Sequence, residues 1–449
     1  MEWTTLISAT RLGCEESGER DNRNSYHRDF DRIIFSKEFR LLQAKTQVVP
    51  FPEHDTIHTR LTHSLETASV GRSLGTLTAA QLELENFGIA EADVGAIVSA
   101  ACLCHDIGNP PLGHSGEDAI SQYFRDEKGS RLIRENLTRE QCFDFENFEG
   151  NAIGFHLLTD SDPNKTLVKG GLGLTYSTLA TFVKYPNRMI NRGKDAKKNV
   201  STKKAGLLHC DIEMFSKIAE RLGLNRVQKD VWCRHPLAYL TEAADDICFA
   251  VIDLEDGYRN GSVTYEETEK LLKNIIEQEE GTRKELRERN ILDEGERIGY
   301  FRAKAINALI CMCVEAFIKN AEAILKGEFA CSLVDSLPEC ARKAYDELID
   351  VARKKVYQRP DILLTEAAGF VVLPGLLDIL VSAAFEKSKR SAKIRDCVLK
   401  NMICEDSSLT YEDRNYQTLL NIVRFVALMT DSYAVKLYRE LTGIQLPNY

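Results

Sequence analysis

Three histidines and two carboxylates fall within two short stretches of this chain. His63 belongs to the first stretch, and His105, Asp106, His114 and Glu117 belong to the second. Imidazole nitrogens combined with carboxylate oxygens suit borderline divalent ions such as Mn²⁺, Fe²⁺, Co²⁺, Ni²⁺ and Zn²⁺ better than they suit Mg²⁺. A histidine held close to a glutamate can transfer protons. The residue types therefore predict a divalent metal ion and a proton-transfer pair in one cleft.

The pair His105 and Asp106 needs an irregular backbone to bind one ion. Neighbouring residues of a regular helix point about 100° apart, so both side chains reach one ion only where a helix ends. The apolar run from Val94 to Leu103 predicts a buried helix, and Gly108 with the two prolines that soon follow it must end that helix. The pair is therefore expected on the last turn.

His114 and Glu117 are expected at the start of the next helix. Gly113 frees the backbone there, Ser115 can cap the helix, and a spacing of three residues places both side chains on one face. A carboxylate one turn away sets the tautomer and pKa of a histidine, so the pair suits general acid–base catalysis. The alternative is that the pair only stabilises the helix start. The metal-binding pair just upstream favours the catalytic role.

A further metal ligand is expected from the stretch that starts at Glu242. Asp245, Phe249 and Asp253 fall on successive turns of a predicted helix whose apolar residues lie on another face. This polar line either faces a cleft, where Asp245 would be the ligand, or forms a solvated acidic surface. An isolated pair of adjacent aspartates, such as Asp245 and Asp246, more often belongs to a solvated surface. The assignment of Asp245 as a metal ligand therefore needs support from the other motifs.

The composition is that of a globular protein with a sizeable core. The chain has 449 residues, of which 43% are hydrophobic and 28% charged, and its formal net charge is -10. Its most apolar stretch, from Gly369 to Phe385, is short and contains Pro374 and Asp378, so no membrane span is predicted. The first residues lack a secretory pattern, which predicts the cytoplasm. Thirteen scattered cysteines then predict buried thiols instead of disulfides.

A basic segment interrupts this otherwise acidic and helical chain. Helical periodicity runs nearly throughout, for example at Leu240, Ile247 and Leu254. From Lys184 to Lys204 the chain carries eight basic residues and one acidic residue. Such a run is either a solvated loop or a contact for phosphates or nucleic acid, and composition alone favours neither interpretation.

The order His, His-Asp, Asp resembles the signature of the HD superfamily of metal-dependent phosphohydrolases. More narrowly, six blocks resemble the bacterial deoxyguanosine triphosphate triphosphohydrolases (dGTPases). These blocks are Tyr26-His-Arg-Asp-Phe-Asp-Arg-Ile-Ile-Phe, Phe39-Arg-Leu-Leu-Gln-Ala-Lys-Thr-Gln-Val, Arg60-Leu-Thr-His-Ser, His105-Asp-Ile-Gly-Asn-Pro-Pro-Leu-Gly-His-Ser-Gly-Glu117, Glu242-Ala-Ala-Asp-Asp-Ile-Cys and Met429-Thr-Asp-Ser-Tyr-Ala-Val. The resemblance therefore covers nearly the whole chain.

The resemblance implies residues for the metal, for catalysis and for the substrate. The implied metal ligands are His63, His105, Asp106 and Asp245, and the implied catalytic pair is His114 with Glu117. The implied substrate contacts are Arg60 and Lys184 with Tyr185 for the phosphates, Gln47, Val48 and Asp253 for the sugar or base, and, as weaker matches, Lys203 or its neighbour Lys204 and Arg424. The basic segment thereby becomes an expected phosphate clamp.

The chain departs from the family pattern at two places. Phe249 stands one turn after the metal aspartate, where the family commonly has tyrosine, and the block that starts at Lys203 is less aromatic than in the family. Because Phe249 lacks the tyrosine hydroxyl, one of the expected contacts to the sugar or base is missing.

The resemblance also implies the fold and its organisation. We expect an all-α protein whose HD-type phosphohydrolase core occupies residues 1–260 and includes the basic segment 184–204. Residues 261–449 are expected to form a helical C-terminal elaboration. This region would pack on the core and contribute to the substrate pocket and to oligomer contacts.

The resulting hypothesis is hydrolysis of a deoxynucleoside triphosphate, with dGTP favoured, to deoxynucleoside and inorganic triphosphate. A divalent ion, with Mn²⁺ favoured over Mg²⁺, Co²⁺, Ni²⁺, Fe²⁺ or Zn²⁺, would polarise the α-phosphoryl oxygen. The alternatives are an HD phosphohydrolase for another nucleotide, such as a nucleoside monophosphate or a broad dNTP pool, and a nucleic-acid-binding regulator on the same fold. The family further implies a homo-oligomer, such as a hexamer, and single-stranded DNA as a candidate effector.

Overall fold

The computed structural model describes residues 1–13, 24–48, 57–160, 170–188, 200–279 and 293–446, without the side chains of residues 114 and 200. Almost all regular structure in these ranges is α-helical. The prediction of an all-α fold is confirmed. Part of the basic segment, residues 189–199, lies outside the described residues.

Twelve of the described helices precede residue 260. They are α1 (Trp3–Leu6), α2 (Ser25–Ile34), α3 (Lys37–Leu41), α4 (Arg60–Gln81), α5 (Glu91–Cys104), α6 (Gly113–Arg125), α7 (Glu127–Asn136), α8 (Arg139–Glu146), α9 (Gly150–Thr159), α10 (Tyr176–Phe182), α11 (Ile212–Arg221) and α12 (Ala238–Arg259). A short antiparallel ribbon of β1 (Arg226–Gln228) and β2 (Val231–Trp232) lies just before α12.

Seven further described helices follow residue 260. They are α13 (Tyr265–Ile276), α14 (Glu294–Lys326), α15 (Glu339–Lys355), α16 (Pro360–Phe385), α17 (Lys389–Ile394), α18 (Tyr411–Leu428) and α19 (Asp431–Thr442). Helix α14 packs on α4 and α12, and α16 packs on α6, so the helices on both sides of residue 260 share one apolar core. A domain division at that residue stays a prediction.

Helices α4, α5 and α12 lie at the centre of the core: α4 and α12 carry His63 and Asp245, and His105 with Asp106 directly follows α5. The run from Val94 to Leu103 in α5 is buried, as predicted, because it is apolar on almost every face. Helix α4 approaches α5 closely at Gly75, where a Cβ atom would lie 2.9 Å from the Val94 carbonyl oxygen. The predicted apolar face of α12 is also buried. The ligands therefore project from a rigid scaffold.

Helix α16 is longer than its apolar pattern suggests. Pro360 begins the helix, and Pro374 lies inside it without ending it. By its length and composition alone, this helix is among the described residues long enough and apolar enough to cross a membrane. However, 44% of its most apolar window is buried within the protein. It packs against α6, α18 and α19. The packing indicates a helix at the edge of the apolar core.

Candidate active site

His105 and Asp106 follow directly after the end of α5. The helix ends at Cys104 and His105 is its C-cap residue, so the pair lies at a helix end as predicted, but just after the last turn instead of on it. Nδ1 of His105 lies 2.6 Å from the carbonyl oxygen of Cys102. Because a carbonyl oxygen only accepts, Nδ1 donates the proton and Nε2 keeps a lone pair for a metal ion.

Gly108 lets the chain turn sharply after this pair. Its φ is +103°, and a Cβ atom at this position would collide with the backbone of Gly150 and Gly154 in α9. Only glycine fits such a conformation in such a space. The turn places Asn109 beside Asp106, where its Nδ2 donates to Oδ1 at 2.6 Å. It also brings Gly150, the first residue of α9, close to Gly108 and Asn109.

Nitrogen and oxygen donors from three parts of the fold converge on one point. Nε2 of His63 on α4 and Nε2 of His105 lie 3.2 Å and 3.3 Å from Oδ1 of Asp245 on α12. These three donor atoms all lie within 4.8 Å of one another. Oδ1 of Asp106 lies 3.5 Å from Nε2 of His105. The four residues predicted as metal ligands are therefore brought together.

This donor set fits a divalent metal ion. Two imidazole nitrogens with carboxylate oxygens are typical of sites for borderline first-row ions. Oδ2 of Asp106 is buried and has no hydrogen-bond partner among the described residues. A buried carboxylate oxygen normally has a partner, and a metal ion would supply it.

Two cations keep the candidate carboxylate ligands ionised. A guanidinium nitrogen of Arg60 donates to Oδ1 of Asp106 at 2.7 Å, and Nζ of Lys184 donates to Oδ2 of Asp245 at 2.6 Å. Burial alone raises the pKa of both carboxyl groups. Arg60 nevertheless holds the pKa of Asp106 below its ordinary value, and Lys184 holds that of Asp245 well below it. Both groups are therefore deprotonated near neutral pH, as metal binding requires.

Arg234 positions the predicted phosphate pair of Lys184 and Tyr185. Its side chain is buried, and its Nε donates to the Lys184 carbonyl oxygen at 2.5 Å. A 2.6 Å ion pair with Glu242 compensates its charge, and its guanidinium lies 5.6 Å from the centre of the Tyr185 ring. No local sequence pattern indicates this residue, because its bond to Lys184 spans 50 positions of the chain.

Glu117 lies on the first turns of α6, beside the candidate metal centre. The helix begins at Gly113 without a side-chain cap, so the expectation that Ser115 caps it is wrong. Oε1 of Glu117 accepts the backbone N–H of Gly150 at 2.7 Å. The side chain of His114 lies outside the described residues, so its pairing with Glu117 stays a prediction.

Glu149 is a second carboxylate in this part of the site, and it lies outside the sequence motifs. It is buried at the start of α9, where burial and the nearby Glu117 raise its pKa. Nζ of Lys204 lies 2.8 Å from Glu149 and 3.6 Å from Glu117. Lys204, rather than the exposed Lys203, therefore pairs with the carboxylates. Its contact with Glu117 links residues that are far apart in sequence.

A cavity of about 480 Å³ joins these groups. Its volume lies within the usual range for small-ligand pockets. Among the residues predicted for the site, it is lined by Gln47, Val48, Arg60, His105, Asp106, Glu117, Lys184, Tyr185, Lys203, Lys204 and Asp245. Tyr357, Ile362, Thr365 and Glu366 line it from the C-terminal region. His63 is buried behind this surface, within the donor cluster.

Asp253 lies behind the cavity wall. Its Oδ2 accepts a hydrogen bond of 2.6 Å from the hydroxyl of Tyr357, and its Oδ1 is buried without a partner among the described residues. The ring of Tyr357 lies 5.7 Å from that of Phe249, and both rings line the cavity. Tyr357 therefore brings a hydroxyl close to the position where Phe249 lacks one.

Asp253 also gives the fold a pH-dependent stability. Burial raises its pKa to about 8, although the Tyr357 hydroxyl lowers it. Between about pH 4 and pH 8 the unfolded chain has lost a proton that the folded chain retains, so this group lowers the free energy of unfolding as pH rises. We expect Asp253→Asn to gain stability relative to the wild type across this range and then to level off. Urea unfolding of both proteins over the range measures the difference, and a constant difference would refute the assignment.

Arg424 does not line this cavity in the single chain. A nitrogen of its guanidinium lies 2.6 Å from a carboxylate oxygen of Asp160 and 3.4 Å from Nε2 of His156. The substrate contact expected of Arg424 stays a prediction.

Asp431 ties the C-terminal region to two segments of the site. Its Oδ2 accepts the N–H of Thr46 at 2.8 Å, and its Oδ1 accepts the N–H of Leu112 at 2.9 Å. Leu112 has a φ of 65°, a left-handed conformation that costs a non-glycine residue roughly 1–2 kcal/mol. Lys45 links two of the same segments by donating to the Asn109 carbonyl oxygen at 2.6 Å. Asp431 thus holds both the residue before Gln47 and the start of α6.

The variant Asp431→Asn is expected to lower kcat/KM by about 10- to 100-fold. Its amide nitrogen would face a backbone N–H, and one unpaired buried donor costs about 1–3 kcal/mol. Because the two segments carry different groups of the site, kcat should fall and KM should rise together. Steady-state kinetics with metal affinity as a second readout tests this, and Asp406→Asn on the surface is the control. Wild-type kinetics for Asp431→Asn would rule out the positioning role.

Known proteins resemble this chain over its whole length. An HD domain family model matches residues 60–163. The deoxyguanosinetriphosphate triphosphohydrolase-like protein of Pseudomonas aeruginosa (strain LESB58) is 38% identical over 457 residues, with 100% of both chains covered. That of Synechocystis sp. is 38% identical over 467 residues, covering 99% of this chain and 100% of the other. The deoxyguanosinetriphosphate triphosphohydrolase of Klebsiella pneumoniae (strain 342) is 28% identical over 497 residues, with 95% of each chain covered.

The HD match contains His63, His105 and Asp106, which the structure brings to one point together with Asp245. The similarity to the relatives extends well beyond this match, through the C-terminal helices that border the cavity. The chain belongs to the deoxyguanosinetriphosphate triphosphohydrolase-like family of HD-domain proteins.

Proposed function

We propose that this phosphohydrolase cleaves a deoxynucleoside triphosphate, with dGTP preferred, to deoxynucleoside and inorganic triphosphate. The observation that carries the proposal is one cavity in which a metal-ligand set meets buried cations and aromatic rings. The preference for dGTP rests on the names of the relatives.

The metal ion is proposed to be held by His63, His105, Asp106 and Asp245. When bound, a divalent ion polarises the reacting phosphoryl oxygen and makes water more acidic. Two imidazole ligands favour Mn²⁺ or a similar ion over Mg²⁺, which prefers oxygen. Activity should therefore be lost on chelation and return with Mn²⁺.

The cations of the cavity are proposed to bind the triphosphate. Within the part of the chain that the structure describes, Arg60 uses Nε and one terminal nitrogen for hydrogen bonds to the protein, so its second terminal nitrogen is proposed to bind a phosphate oxygen. Burial lowers the pKa of Lys184, but Asp245 and Glu242 hold it above its ordinary value, so this side chain stays charged. Such local charge is needed because the protein as a whole is acidic.

His114 and Glu117 are proposed to handle the proton. Water attacks the α-phosphorus as the bond from that phosphorus to the sugar 5′-oxygen breaks, and His114 takes up the proton that the water loses and passes a proton to the leaving oxygen. The Gly150 N–H and the Lys204 ammonium fix the Glu117 carboxylate, which in turn would orient His114. The bond broken determines the products, because cleavage there releases the three phosphates as one unit.

Gln47, Val48 and Tyr357 are proposed to contact the sugar. Oε1 of Gln47 is buried without a hydrogen-bond partner among the described residues, although Gln47 lines the cavity. A sugar hydroxyl is a donor of the kind that this oxygen lacks. The family commonly has a tyrosine hydroxyl where this chain has Phe249. The ring of Tyr357 lies next to Phe249, and its hydroxyl, which donates a hydrogen bond to Asp253, could replace the missing one.

Product analysis tests the proposal. The purified protein is incubated with Mn²⁺ and each of the four deoxynucleoside triphosphates, and nucleoside, triphosphate, pyrophosphate and monophosphate are resolved. We expect equal amounts of deoxynucleoside and triphosphate, formed fastest from dGTP, and no reaction with EDTA. Monophosphate with pyrophosphate would indicate a different HD phosphohydrolase reaction. The expected homo-oligomer, single-stranded DNA effector and cytoplasmic location stay predictions.

A further inference from the structure

A second group of metal-ligand side chains lies apart from the HD donor set. His156 belongs to α9, whereas Cys210 and Asp211 form a short turn just before α11. Nδ1 of His156 lies 2.9 Å and 3.2 Å from the two carboxylate oxygens of Asp211 and 3.7 Å from Sγ of Cys210. Donor atoms of all three residues lie within 4.8 Å of one another.

The geometry differs from that of a nucleophilic triad. In a triad the acid and the nucleophile occupy opposite nitrogens of the histidine ring. Here the thiol and the carboxylate both approach Nδ1, and Nε2 faces Arg424 instead. Three donors that converge on one point are the arrangement of a metal site.

The spacing is close to that of tetrahedral zinc. With Zn–N and Zn–O near 2.05 Å and Zn–S near 2.3 Å, the tetrahedral N···O and N···S edges are about 3.3 Å and about 3.5 Å. The distances from Nδ1 of His156 to Asp211 and to Cys210 differ from these edges by only a few tenths of an ångström. An ion therefore needs only small side-chain shifts to enter.

The charges nearby also suit a divalent ion. The two neighbouring arginines already have carboxylate partners, Arg424 with Asp160 and Arg188 with Asp144. Asp211 and a Cys210 thiolate would add two negative charges, which a divalent ion balances. A thiolate ligand selects Zn²⁺ or Co²⁺ over Mn²⁺ and Mg²⁺, so this set differs in preference from the sulfur-free HD set.

We propose that His156, Cys210 and Asp211 form a zinc site, with Nδ1, Sγ and one carboxylate oxygen as ligands and water at the fourth position. Binding displaces the proton of the Cys210 thiol and the proton between His156 and Asp211. The ion links α9 to the start of α11. Because Gly150 lies about 9 Å along α9 from His156, the site fixes the helix whose first N–H holds Glu117.

Cobalt titration of the full-length, reduced, EDTA-treated protein tests the proposal. A cobalt–thiolate bond gives a near-ultraviolet charge-transfer band, whereas nitrogen and oxygen ligands alone do not. We expect the wild type to develop a band whose final intensity corresponds to one cobalt–thiolate bond per chain, while cobalt also fills the HD centre without adding to the band, and we expect Cys210→Ser to lose it. Cys331→Ser changes another exposed cysteine and should keep the band. Asp245→Asn, which alters the HD centre, should keep it too.

Zinc content provides a second measurement. After equilibration with zinc in excess Mn²⁺, the wild type should retain one more zinc per chain than Cys210→Ser. This variant keeps the hydrogen bond between His156 and Asp211, and circular dichroism verifies its fold. Absence of the band in the wild type, its survival in Cys210→Ser, or its loss in Asp245→Asn would each overturn the proposal. These outcomes do not depend on the proposed hydrolysis.

Discussion

The variant Asp245→Asn is expected to lose metal binding at the HD centre and to hydrolyse substrate about 10³-fold more slowly or worse. A bound ion contributes several kcal/mol to charge stabilisation, which corresponds to a rate loss of this size. Oδ1 of Asp245 is the oxygen nearest Nε2 of both His63 and His105. An amide there removes the negative charge that pairs with the buried Lys184 ammonium.

The control for this prediction is the neighbouring Asp246→Asn. Asp246 lines the same cavity, but it does not belong to the cluster of donor atoms. We expect it to keep the wild-type affinity for Mn²⁺, measured by isothermal titration calorimetry. If Asp246→Asn loses the metal and Asp245→Asn binds it normally, the ligand assignment is wrong.

Loss of the proposed proton-transfer pair should have the second largest effect. His114→Ala and Glu117→Gln are each expected to lower kcat by about 10²- to 10⁴-fold, the usual contribution of general acid–base catalysis, while Mn²⁺ affinity stays unchanged. Glutamine at 117 can still accept the Gly150 N–H, so the start of α9 should stay in place. Single-turnover rates at saturating Mn²⁺ measure the chemical step.

The double variant shows whether the pair acts as one unit. If Glu117 works through His114, combining both changes should slow the reaction no more than the more severe single change. Ser115→Ala is the matched control between them, because this residue does not cap the helix. Independent, multiplying losses would separate the two roles, and normal hydrolysis by His114→Ala would remove it from the mechanism.

The parts of the site that depend on local backbone could be predicted from sequence. An apolar run followed by glycine and prolines fixes where α5 ends, so His105 and Asp106 were placed correctly at a helix end. Helical spacing likewise put Asp245 and Phe249 on one side of α12, where both line the cavity. Composition and periodicity were enough for the all-α fold because few stretches alternate as strands do.

The groups that organise the site could not be predicted in this way. Arg234, Glu149, Tyr357 and Asp431 act through contacts with residues far away in the chain, up to 385 positions for Asp431 and Thr46. Such contacts depend on how whole helices pack, which single-sequence periodicity does not specify. The block that starts at Met429 resembled the family, but its role appeared only when Asp431 was seen to hold the backbone of Leu112.

The sequence predicts a helix start near His114, close to the observed start at Gly113, but for a reason that is only partly right. Gly113 does have a positive φ of 67°, as a flexible turn requires. Ser115, however, lies inside the helix, and Leu112 takes the N-cap position in a left-handed conformation. A tertiary hydrogen bond from Leu112 to Asp431 replaces the local cap, so propensity alone gave the wrong capping residue.

Hydrolysis of dGTP in ¹⁸O-labelled water tests the central claim most directly. The account requires water to attack the α-phosphorus, so mass spectrometry should find one heavy oxygen in the released triphosphate and none in the deoxyguanosine. Label in the deoxyguanosine, or label in monophosphate or pyrophosphate instead of intact triphosphate, would contradict the account.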